Sequence, residues 1–386
     1  TPSLEAYYRA GKGEYRMFQL TRRLTGGELP TVYTVDLRQE LQEGNRSIFS
    51  RKLQELMTDR LNKGQQTILF LNRRGYAGFV SCRSCGEVMK CPHCDVSLSE
   101  HKGGRLICHY CGYTQPMPKL CPKCGSKYIL GFKAGTQQIE EKLKELYPGV
   151  RTLRMDADTT RTKDSYEKIL SSFANGEADV LIGTQMIVKG HDFPKVTLVG
   201  ILAADLSLNA SDYRAGERTF QLLTQAVGRA GRGALPGEAV IQTYQPDHYA
   251  ITCAAAQDYE SFYQEEILYR ELSGYPPVAH MLAVQIYGKE EENVKQLALR
   301  LTDVVKSNMD FLSGKQKEQS NKKIQVLGPA PANISKINDI YRYVFYVKHV
   351  EYDVLVEVKD RLEETLRQWQ PRQMSIQFDF DPVSVL

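Results

Sequence analysis

Four CxxC pairs lie within a short stretch of the chain, and their thiolates are suited to binding metal. The pairs are Cys82/Cys85, Cys91/Cys94, Cys108/Cys111 and Cys121/Cys124, whereas Cys253 lies far away. Each pair forms a knuckle whose two thiolates can face one ion, and tetrahedral zinc takes four such ligands. The sequence therefore predicts two closed structural zinc sites, with no open position for catalysis.

A disulfide framework is the alternative use of these cysteines, and nearby histidines are alternative ligands. No secretory signal precedes the block and nearly all cysteines fall in one segment, which favours metal. Because eight thiolates already saturate two zinc ions, His93, His101 and His109 are expected to be partly exposed loop residues.

The four knuckles could pair in a nested, sequential or interleaved way. An insert must leave and rejoin its host at neighbouring points, so the first knuckle should lie beside the last. This geometry favours nesting, in which the outer knuckles share one zinc and the inner knuckles share the other. Glycine follows three of the pairs and supplies the backbone freedom that a tight knuckle needs; these residues are Gly86, Gly112 and Gly125.

Two further groups could bind phosphate at strand ends. Thr184, Lys189, Gly190 and Asp192 follow the apolar run 179–183, where a hydroxyl, an ammonium and backbone N–H groups could hold a nucleic-acid strand. Ordinary turn residues are the alternative interpretation.

Arg73 and Arg74 follow the apolar run Thr67–Leu71 and lie beside Tyr76. They could contact a phosphate and a base. On spacing alone, they could equally clamp an acidic loop.

Arginines also lie at a predicted helix end. Arg229 and Arg232 are three residues apart and follow Gln225, so both could reach the triphosphate of a nucleotide held by a neighbouring domain. The alternative is a solvated basic helix end, which the helix dipole favours.

Strands alternating with helices must position these residues. Thr31–Asp36 is predicted as an edge strand, Thr67–Leu71 as a strand buried on both faces, and Ser50–Leu61 as a helix. Beyond the cysteines, Thr136 is predicted to cap a helix, and the alternation continues to residue 244. This order predicts a mainly parallel sheet covered on both faces.

A smaller unit follows the predicted helix Tyr259–Leu272 and the sequence GYPP. Its elements come in the order βαββαβ, which predicts a split-βαβ sandwich. Ser313–Lys323 has no apolar residue and is predicted to form a mobile loop, and a second loop is predicted to start at Pro329 and Pro331.

Several of these segments together resemble the PriA family of bacterial replication-restart helicases, also called primosomal protein N′. They are TPSLEA, LNRRGYA, the four CxxC pairs, GTQQIEEKL, DADTT, LIGTQMIVKGHDFP, YRAGERTFQLLTQAVGRAGR and GYPP. The match runs in order to about residue 280 and is looser beyond it, where GPAPA and DFDP support it. The chain is thus expected to be a C-terminal portion beginning near helicase motif III.

The resemblance implies an ATP-dependent 3′-to-5′ DNA helicase of superfamily 2 that recognises stalled or abandoned replication forks and starts primosome assembly. It places Thr184, Lys189, Gly190 and Asp192 in helicase motif V, and Gln225, Arg229 and Arg232 in motif VI. The motif VI residues would act in catalysis, and Gly190 and Asp192 would contact the nucleotide. Thr184, Lys189, Arg73 and Arg74 would contact DNA.

The resemblance also divides the chain. Residues 1–30 would be the tail of helicase lobe 1, 31–80 and 126–272 the RecA-like lobe 2, 81–125 the zinc-binding insert, and 273–386 the C-terminal domain. Neither a GxxxxGK[ST] phosphate loop nor a DExH motif occurs, so the chain alone is expected not to hydrolyse Mg²⁺-ATP.

The resemblance implies several partners: branched and single-stranded DNA, the acidic tail of single-strand-binding protein, and primosome proteins that load the replicative helicase. Arg342 and Lys348 are basic candidates for the tail-binding pocket. The resemblance also implies the bacterial cytoplasm and nucleoid as the location. No apolar run is long enough to predict a membrane span. A non-catalytic zinc-ribbon module that binds DNA or proteins is the alternative function of this chain alone.

Overall fold

The computed structural model combines a parallel sheet, a cysteine-rich insert and a small antiparallel domain. It describes residues 1–20, 28–71, 80–93, 96–101, 104–108, 111–131, 135–156, 159–160, 163–188, 192–210, 212–307 and 323–383. Among the helices in these ranges, none is both long and apolar enough to cross a membrane.

The elements alternate in much the order that the sequence predicts. The strands are β1 (Thr31–Asp36), β2 (Gln66–Leu71), β3 (Val80–Cys82), β4 (Ser99–His101), β5 (Arg105–Ile107), β6 (Thr114–Pro116), β7 (Ile129–Gly131), β8 (Thr152–Met155), β9 (Val180–Gly183), β10 (Val196–Leu202), β11 (Glu238–Thr243), β12 (His280–Gly288), β13 (Gln325–Ile337), β14 (Ile340–His349) and β15 (Met374–Phe380). The helices are α1 (Leu4–Gly11), α2 (Leu37–Gln42), α3 (Arg51–Asn62), α4 (Thr136–Leu146), α5 (Lys163–Asn175), α6 (Asp205–Leu208), α7 (Ala215–Val227), α8 (Tyr249–Ala256), α9 (Tyr259–Ser273), α10 (Glu291–Ser307) and α11 (Tyr352–Trp369).

Six parallel strands form the main sheet in the order β1-β11-β10-β2-β9-β8. Strands β2 and β10 are buried along their whole length because helices cover both faces. Leu53 of α3 and Leu143 of α4 pack on one face. Phe173 of α5 and Phe220 of α7 pack on the other. The predicted parallel sheet covered on both faces is confirmed, and β1 lies at its edge as expected.

The cysteine-rich insert leaves and rejoins the main domain through paired strands. β3 and β7 are antiparallel neighbours, and Cys82 lies opposite Ile129. Strands β4, β5 and β6 form a separate three-stranded sheet inside the insert. The two ends of the insert therefore lie side by side, as the pairing argument requires.

Helix α1 packs on the lobe formed by the main sheet. Leu4 is fully buried in its core, and the Leu4 N–H donates to Glu217 Oε1 at 2.9 Å. The Tyr7 ring lies 4.5 Å from the ring of Tyr263, measured between centroids. The assignment of residues 1–30 to the tail of helicase lobe 1 stays a prediction. Helix α1 itself contacts the lobe that contains the main sheet.

The C-terminal strands form an antiparallel sheet in the order β13-β14-β12-β15. Helices α10 and α11 cover one face, where Val284 and Phe345 pack against Leu301 and Leu355. This is the strand order of a split-βαβ sandwich, and that prediction is confirmed.

Three local predictions need correction or lie outside the described residues. The loop predicted at Pro329 and Pro331 is wrong, because both lie in the edge strand β13, where a missing N–H is tolerated. Thr136 is not the cap of α4, since Gly135 holds that position and the Thr136 hydroxyl donates to Asp156 Oδ2 at 2.6 Å. Most of the predicted loop 313–323 lies outside the described residues.

A buried arginine joins helices α7 and α9 to the start of the C-terminal domain. Arg270 is 1% exposed, and its guanidinium donates to Glu266 Oε1 at 2.8 Å, Glu217 Oε2 at 3.2 Å and the Pro276 carbonyl at 2.8 Å. It also lies over the Tyr213 ring, 4.8 Å from its centroid. Two stretches of the chain, residues 213–217 and 266–276, therefore meet at one cation.

We expect Arg270→Met to destabilise the fold by about 3–5 kcal/mol, because it leaves the Glu266 carboxylate buried without its cation. Burial raises the pKa of Glu266 above its ordinary value. The folded state thus binds this proton more tightly than the unfolded state does, and stability should fall as pH rises above the ordinary pKa. Urea denaturation at acidic and neutral pH measures both effects.

The double variant Arg270→Met/Glu266→Leu is the control for that measurement. It removes the buried carboxylate together with the cation, so it should recover part of the lost stability and show less pH dependence. A double variant that is less stable than Arg270→Met would contradict the proposed role of the unpaired charge.

Candidate functional site

The outer two knuckles form one cluster of four sulfur atoms. The Sγ atoms of Cys82, Cys85, Cys121 and Cys124 all lie within 4.8 Å of one another. The Sγ atoms of Cys82 and Cys124 are 3.6 Å apart, as are those of Cys85 and Cys121. Tetrahedral ligands about 2.3 Å from zinc are about 3.8 Å apart, whereas a disulfide needs about 2.05 Å. The cluster therefore has the dimensions of a zinc site.

The inner knuckles form a second cluster. The Sγ atoms of Cys91, Cys108 and Cys111 lie within 4.8 Å of one another, while Cys94 is outside the described residues. His93 is exposed, as expected, and stacks edge-on against Tyr113. No histidine belongs to either cluster in the described part of the insert. The sulfur positions are those of the nested arrangement.

Local hydrogen bonds shape three of the knuckles in the same way. The residue after the second cysteine has a positive φ of 71–78° and donates its N–H to the carbonyl of the first cysteine. Glycine adopts this left-handed conformation without strain. The three donor and acceptor pairs are Gly86 and Cys82 at 2.8 Å, Gly112 and Cys108 at 2.9 Å, and Gly125 and Cys121 at 2.9 Å.

Burial and hydrogen bonding act in opposite directions on the sulfur atoms of the outer cluster. Burial raises the pKa of the Cys85 thiol to about 12. Burial also disfavours the Cys82 thiolate, but N–H groups of Cys85 and Ser84 overcome this effect and lower the Cys82 pKa to about 7. A cation at the centre would stabilise all four thiolates, which suits this cluster to a metal.

The insert packs against both of its neighbours. The Arg83 guanidinium donates to the Tyr244 hydroxyl at 3.0 Å, and a side chain at Gly86 would collide with the Tyr244 backbone. On the other side, insert residues such as Leu106 share a core with Met281 and Tyr346 of the C-terminal domain. The insert is therefore held between the main sheet and the C-terminal sheet.

The structure brings Asp192 of predicted motif V and Arg232 of predicted motif VI together beside the start of β10. Asp192 Oδ1 accepts from the Arg232 guanidinium at 2.8 Å, although the two residues are far apart in sequence. Arg229 is 9% exposed, and burial followed by the nearby charge of Arg232 lowers its pKa, while Asp192 opposes this shift. Thr184 follows β9, and its N–H donates to the Met155 carbonyl at 3.3 Å.

The other predicted motif residues are either exposed or outside the described residues. Gln225 is exposed near the end of α7. Lys189, Gly190, Arg73 and Arg74 lie outside the described residues, so their predicted DNA and nucleotide contacts stay predictions.

Of the two basic candidates in the C-terminal domain, Lys348 is not suited to a surface pocket. It is 6% exposed, its ammonium donates to the Ser273 carbonyl at 2.8 Å, and it lies 4.2 Å from the Tyr275 ring centroid. Arg342 is half-buried, and its guanidinium lies 5.6 Å from the Tyr287 ring centroid. Lys348 therefore has a structural role.

Sequence reasoning missed two aspartates that fix neighbouring backbone segments through hydrogen bonds. Asp205 is fully buried, and its carboxylate accepts from Thr243 Oγ1 at 2.9 Å and Tyr244 N at 3.0 Å. Asp381 accepts from Met281 N at 2.8 Å and contacts His280 at 2.8 Å, which gives the closing DFDP sequence a structural role. The short helix DLSL after an apolar strand was the signal for Asp205.

Three family profiles match successive parts of the chain. They are described as PriA DNA helicase Cys-rich region (CRR) domain, residues 91–116, Helicase conserved C-terminal domain, residues 120–234, and Primosomal protein N C-terminal domain, residues 271–383. The cysteine-rich match and the sulfur clusters together support zinc binding by the insert.

Curated relatives match over the whole chain. Replication restart protein PriA of Bacillus subtilis (strain 168) is 44% identical over 388 residues, which is 100% of this chain and 47% of the relative. The same protein of Synechocystis sp. is 40% identical over 100% of this chain and 46% of the relative. The Haemophilus influenzae protein is 34% identical over 97% of this chain and 48% of the relative. The chain thus spans about half the length of these relatives. The cysteine-rich insert, the helicase lobe and the C-terminal domain occur in the order of these matches, and the chain corresponds to a C-terminal portion of the PriA replication restart proteins.

Proposed function

We propose that this chain is the second motor lobe, zinc-binding insert and C-terminal domain of an ATP-dependent 3′-to-5′ DNA helicase. The whole protein would recognise stalled or abandoned replication forks and start primosome assembly. The observation that carries the proposal is the ion pair between Asp192 and Arg232, because these residues belong to the predicted motifs V and VI and are far apart in sequence.

The charges beside the start of β10 fit a polyphosphate ligand. Arg229 and Arg232 carry like charges close together, and the negative charge of Asp192 offsets their effect on the Arg229 pKa only in part. Phosphate oxygens would bind this pair of cations through charge-assisted hydrogen bonds. The nucleotide itself would be held by the phosphate loop and acidic motif of the first lobe, with Mg²⁺ between the phosphates.

The two zinc ions would have structural roles in this proposal. Eight thiolates arranged as two sets of four would close both coordination shells, so the metal would stabilise the insert without acting on substrate. The insert shares a core with the C-terminal domain, which supports the second candidate function, a joint DNA-binding and partner-binding module. Its proposed ligands are branched DNA, the tail of single-strand-binding protein and primosome proteins.

Zinc counting tests the nested pairing. Cys91→Ser with Cys108→Ser should damage one site and leave about one zinc per chain, because both sulfurs belong to the inner cluster. Cys91→Ser with Cys121→Ser should remove both ions, because it damages both clusters. Structural zinc sites can contribute roughly 10–16 kcal/mol to folding, so the loss of a site can unfold part of the insert. Zinc is therefore counted by mass spectrometry on soluble, gel-filtered protein. One zinc retained by the second variant would refute nesting.

Arginine variants test the motor role in protein that carries both lobes. Arg229→Ala or Arg232→Ala should lower DNA-stimulated ATP hydrolysis roughly 10³- to 10⁵-fold while DNA binding survives, as expected for arginines that stabilise transition-state charge. The 386-residue chain alone provides the inactive baseline.

Arg151→Ala is the matched control for that assay. Arg151 also pairs with an aspartate, Asp179, but it precedes the edge strand β8, which β2 and β9 separate from β10. Its loss should leave turnover nearly unchanged. Near-normal turnover in both motif VI variants would argue against the assignment.

Motif V should act through DNA phosphates. Thr184→Ala and Lys189→Ala are expected to weaken binding of single-stranded DNA, and loss of the lysine should reduce the slope of log affinity against log salt by about 0.7. Fluorescence anisotropy across a salt series measures this slope. Lys195→Ala, an exposed lysine before β10, is the control and should leave the slope intact. If Lys189→Ala also leaves it intact, Lys189 is an ordinary turn residue.

A further inference from the structure

One half of a sheet face in the C-terminal domain is open among the described residues. Helices α10 and α11 cover the opposite face completely enough to bury Val284 and Phe345. On the face in question, Ala283 and Val344 are buried beneath the zinc-binding insert. Further along the same strands, the side chains become half-buried or exposed. The described part of the insert therefore covers only part of this sheet face.

We call the uncovered part the open sheet patch. Strand alternation places six side chains on it, and these are Gln285, Tyr287, Ile340, Arg342, Ser375 and Gln377. A groove runs along its end, lined by Tyr287, Gln373, Ser375 and Gln377 among others.

Tyr287 lies at the centre of the open sheet patch. It is directly opposite Arg342 on one neighbouring strand and Ser375 on the other. Its hydroxyl donates to Gln285 Oε1 and, at 3.3 Å, to Gln377 Oε1, while Arg342 lies 5.6 Å from the ring centroid. The ring is thus fixed at its hydroxyl end and flanked by a cation.

The charges around the patch favour an anionic ligand. The six side chains include a cation but no carboxylate, and exposed Lys289 and Arg372 lie next to the strand ends at the groove. Among the neighbouring acids, Asp379 lies on the same face, opposite Ala283 at the side that the insert covers, and Asp339 pairs with Lys336 at 2.8 Å. Two other acids face the helices. Glu291 accepts from the Tyr343 hydroxyl at 3.4 Å, and Glu290 accepts from the Asn293 side chain at 2.6 Å.

We propose that the open sheet patch binds single-stranded DNA, with one base on Tyr287 and a phosphate at Arg342. This inference deepens the proposed function and rests on the protein acting on DNA. Every base has a ring face that can stack on an aromatic side chain. In a duplex these faces are occupied by neighbouring bases, so an aromatic platform favours a single strand. The amides of Gln285 and Gln377 supply both donors and acceptors for base edges.

An acidic peptide is the competing ligand. It would use the positive charge of Arg342 but would gain little from a flat ring between amide groups. The aromatic ring of Tyr287 together with the amides of Gln285 and Gln377 favours DNA as the ligand.

Binding of a fluorescein-labelled oligo(dT) strand to the 386-residue chain tests the proposal. Tyr287→Leu should weaken binding about 5- to 140-fold, because base stacking on an aromatic contributes about 1–3 kcal/mol. Tyr287→Phe should keep most of the affinity because it keeps the ring. Arg342→Gln should lower the salt slope by about 0.7. Lys295→Gln on α10 removes the same charge from the helix-covered side and should change neither quantity.

A second readout locates the contact directly. An oligo(dT) strand containing 5-iodouracil should cross-link to Tyr287 upon irradiation, and peptide mass spectrometry identifies the attached residue.

Equal DNA affinity of Tyr287→Leu and the unaltered chain, with the cross-link elsewhere, would overturn the proposal and leave the proposed helicase function standing. Loss of acidic-peptide binding instead of DNA binding in Tyr287→Leu would also overturn it. Failure of the unaltered chain to bind DNA would count against the proposed function itself.

Discussion

The buried pairing of Arg270 with Glu266 and Glu217 is the interaction on which the relative placement of the parts depends. An ion pair withdrawn from water stabilises a fold only when the geometry and remaining hydrogen bonds compensate for desolvation. Arg270 meets that condition with two carboxylates, the Pro276 carbonyl and the Tyr213 ring. Because Glu217 and Tyr213 come from a stretch of chain far from Arg270 in sequence, the cation is satisfied only when α7 has packed against α9.

The zinc-binding insert extends this arrangement to the C-terminal sheet. Tyr213 stacks on Tyr275 with 4.6 Å between centroids, and both rings belong to the core that the insert shares with Met281 and Tyr346. Two small sheets and two sulfur clusters give the insert little apolar core of its own. Metal binding and contact with its neighbours therefore supply much of its order.

The sequence predicted the sheets well because buried strands such as Thr67–Leu71 have an unbroken apolar pattern. It also predicted the nested sulfur clusters, since a nested insert needs only that its ends meet. It failed at Pro329 and Pro331 because an edge strand tolerates residues that usually begin loops. It failed at Lys348 because a lysine in an alternating strand gives no sign that a neighbouring domain covers it.

Tertiary contacts also explain why the Arg270 network escaped sequence reasoning. Glu266 and Arg270 have the spacing of an ordinary surface pair on a helix, and only the packing of α7 against α9 shows that they are buried. The open sheet patch was missed for the opposite reason. Its alternation resembles that of any half-buried sheet, and the point where the insert ends decides which residues remain accessible.

Helix α7 connects the buried network to the predicted catalytic arginines. Its first turn carries Glu217, which binds Arg270 and the N–H of Leu4, and its last residue precedes the segment containing Arg229 and Arg232. Thirteen residues of α-helix span about 20 Å, and a helix packed along its length moves as a unit. The position of the two arginines beside the start of β10 is therefore set partly by contacts at the other end of α7. The start of the C-terminal domain, through Pro276 and Tyr275, belongs to the framework that holds Arg229 and Arg232 in place.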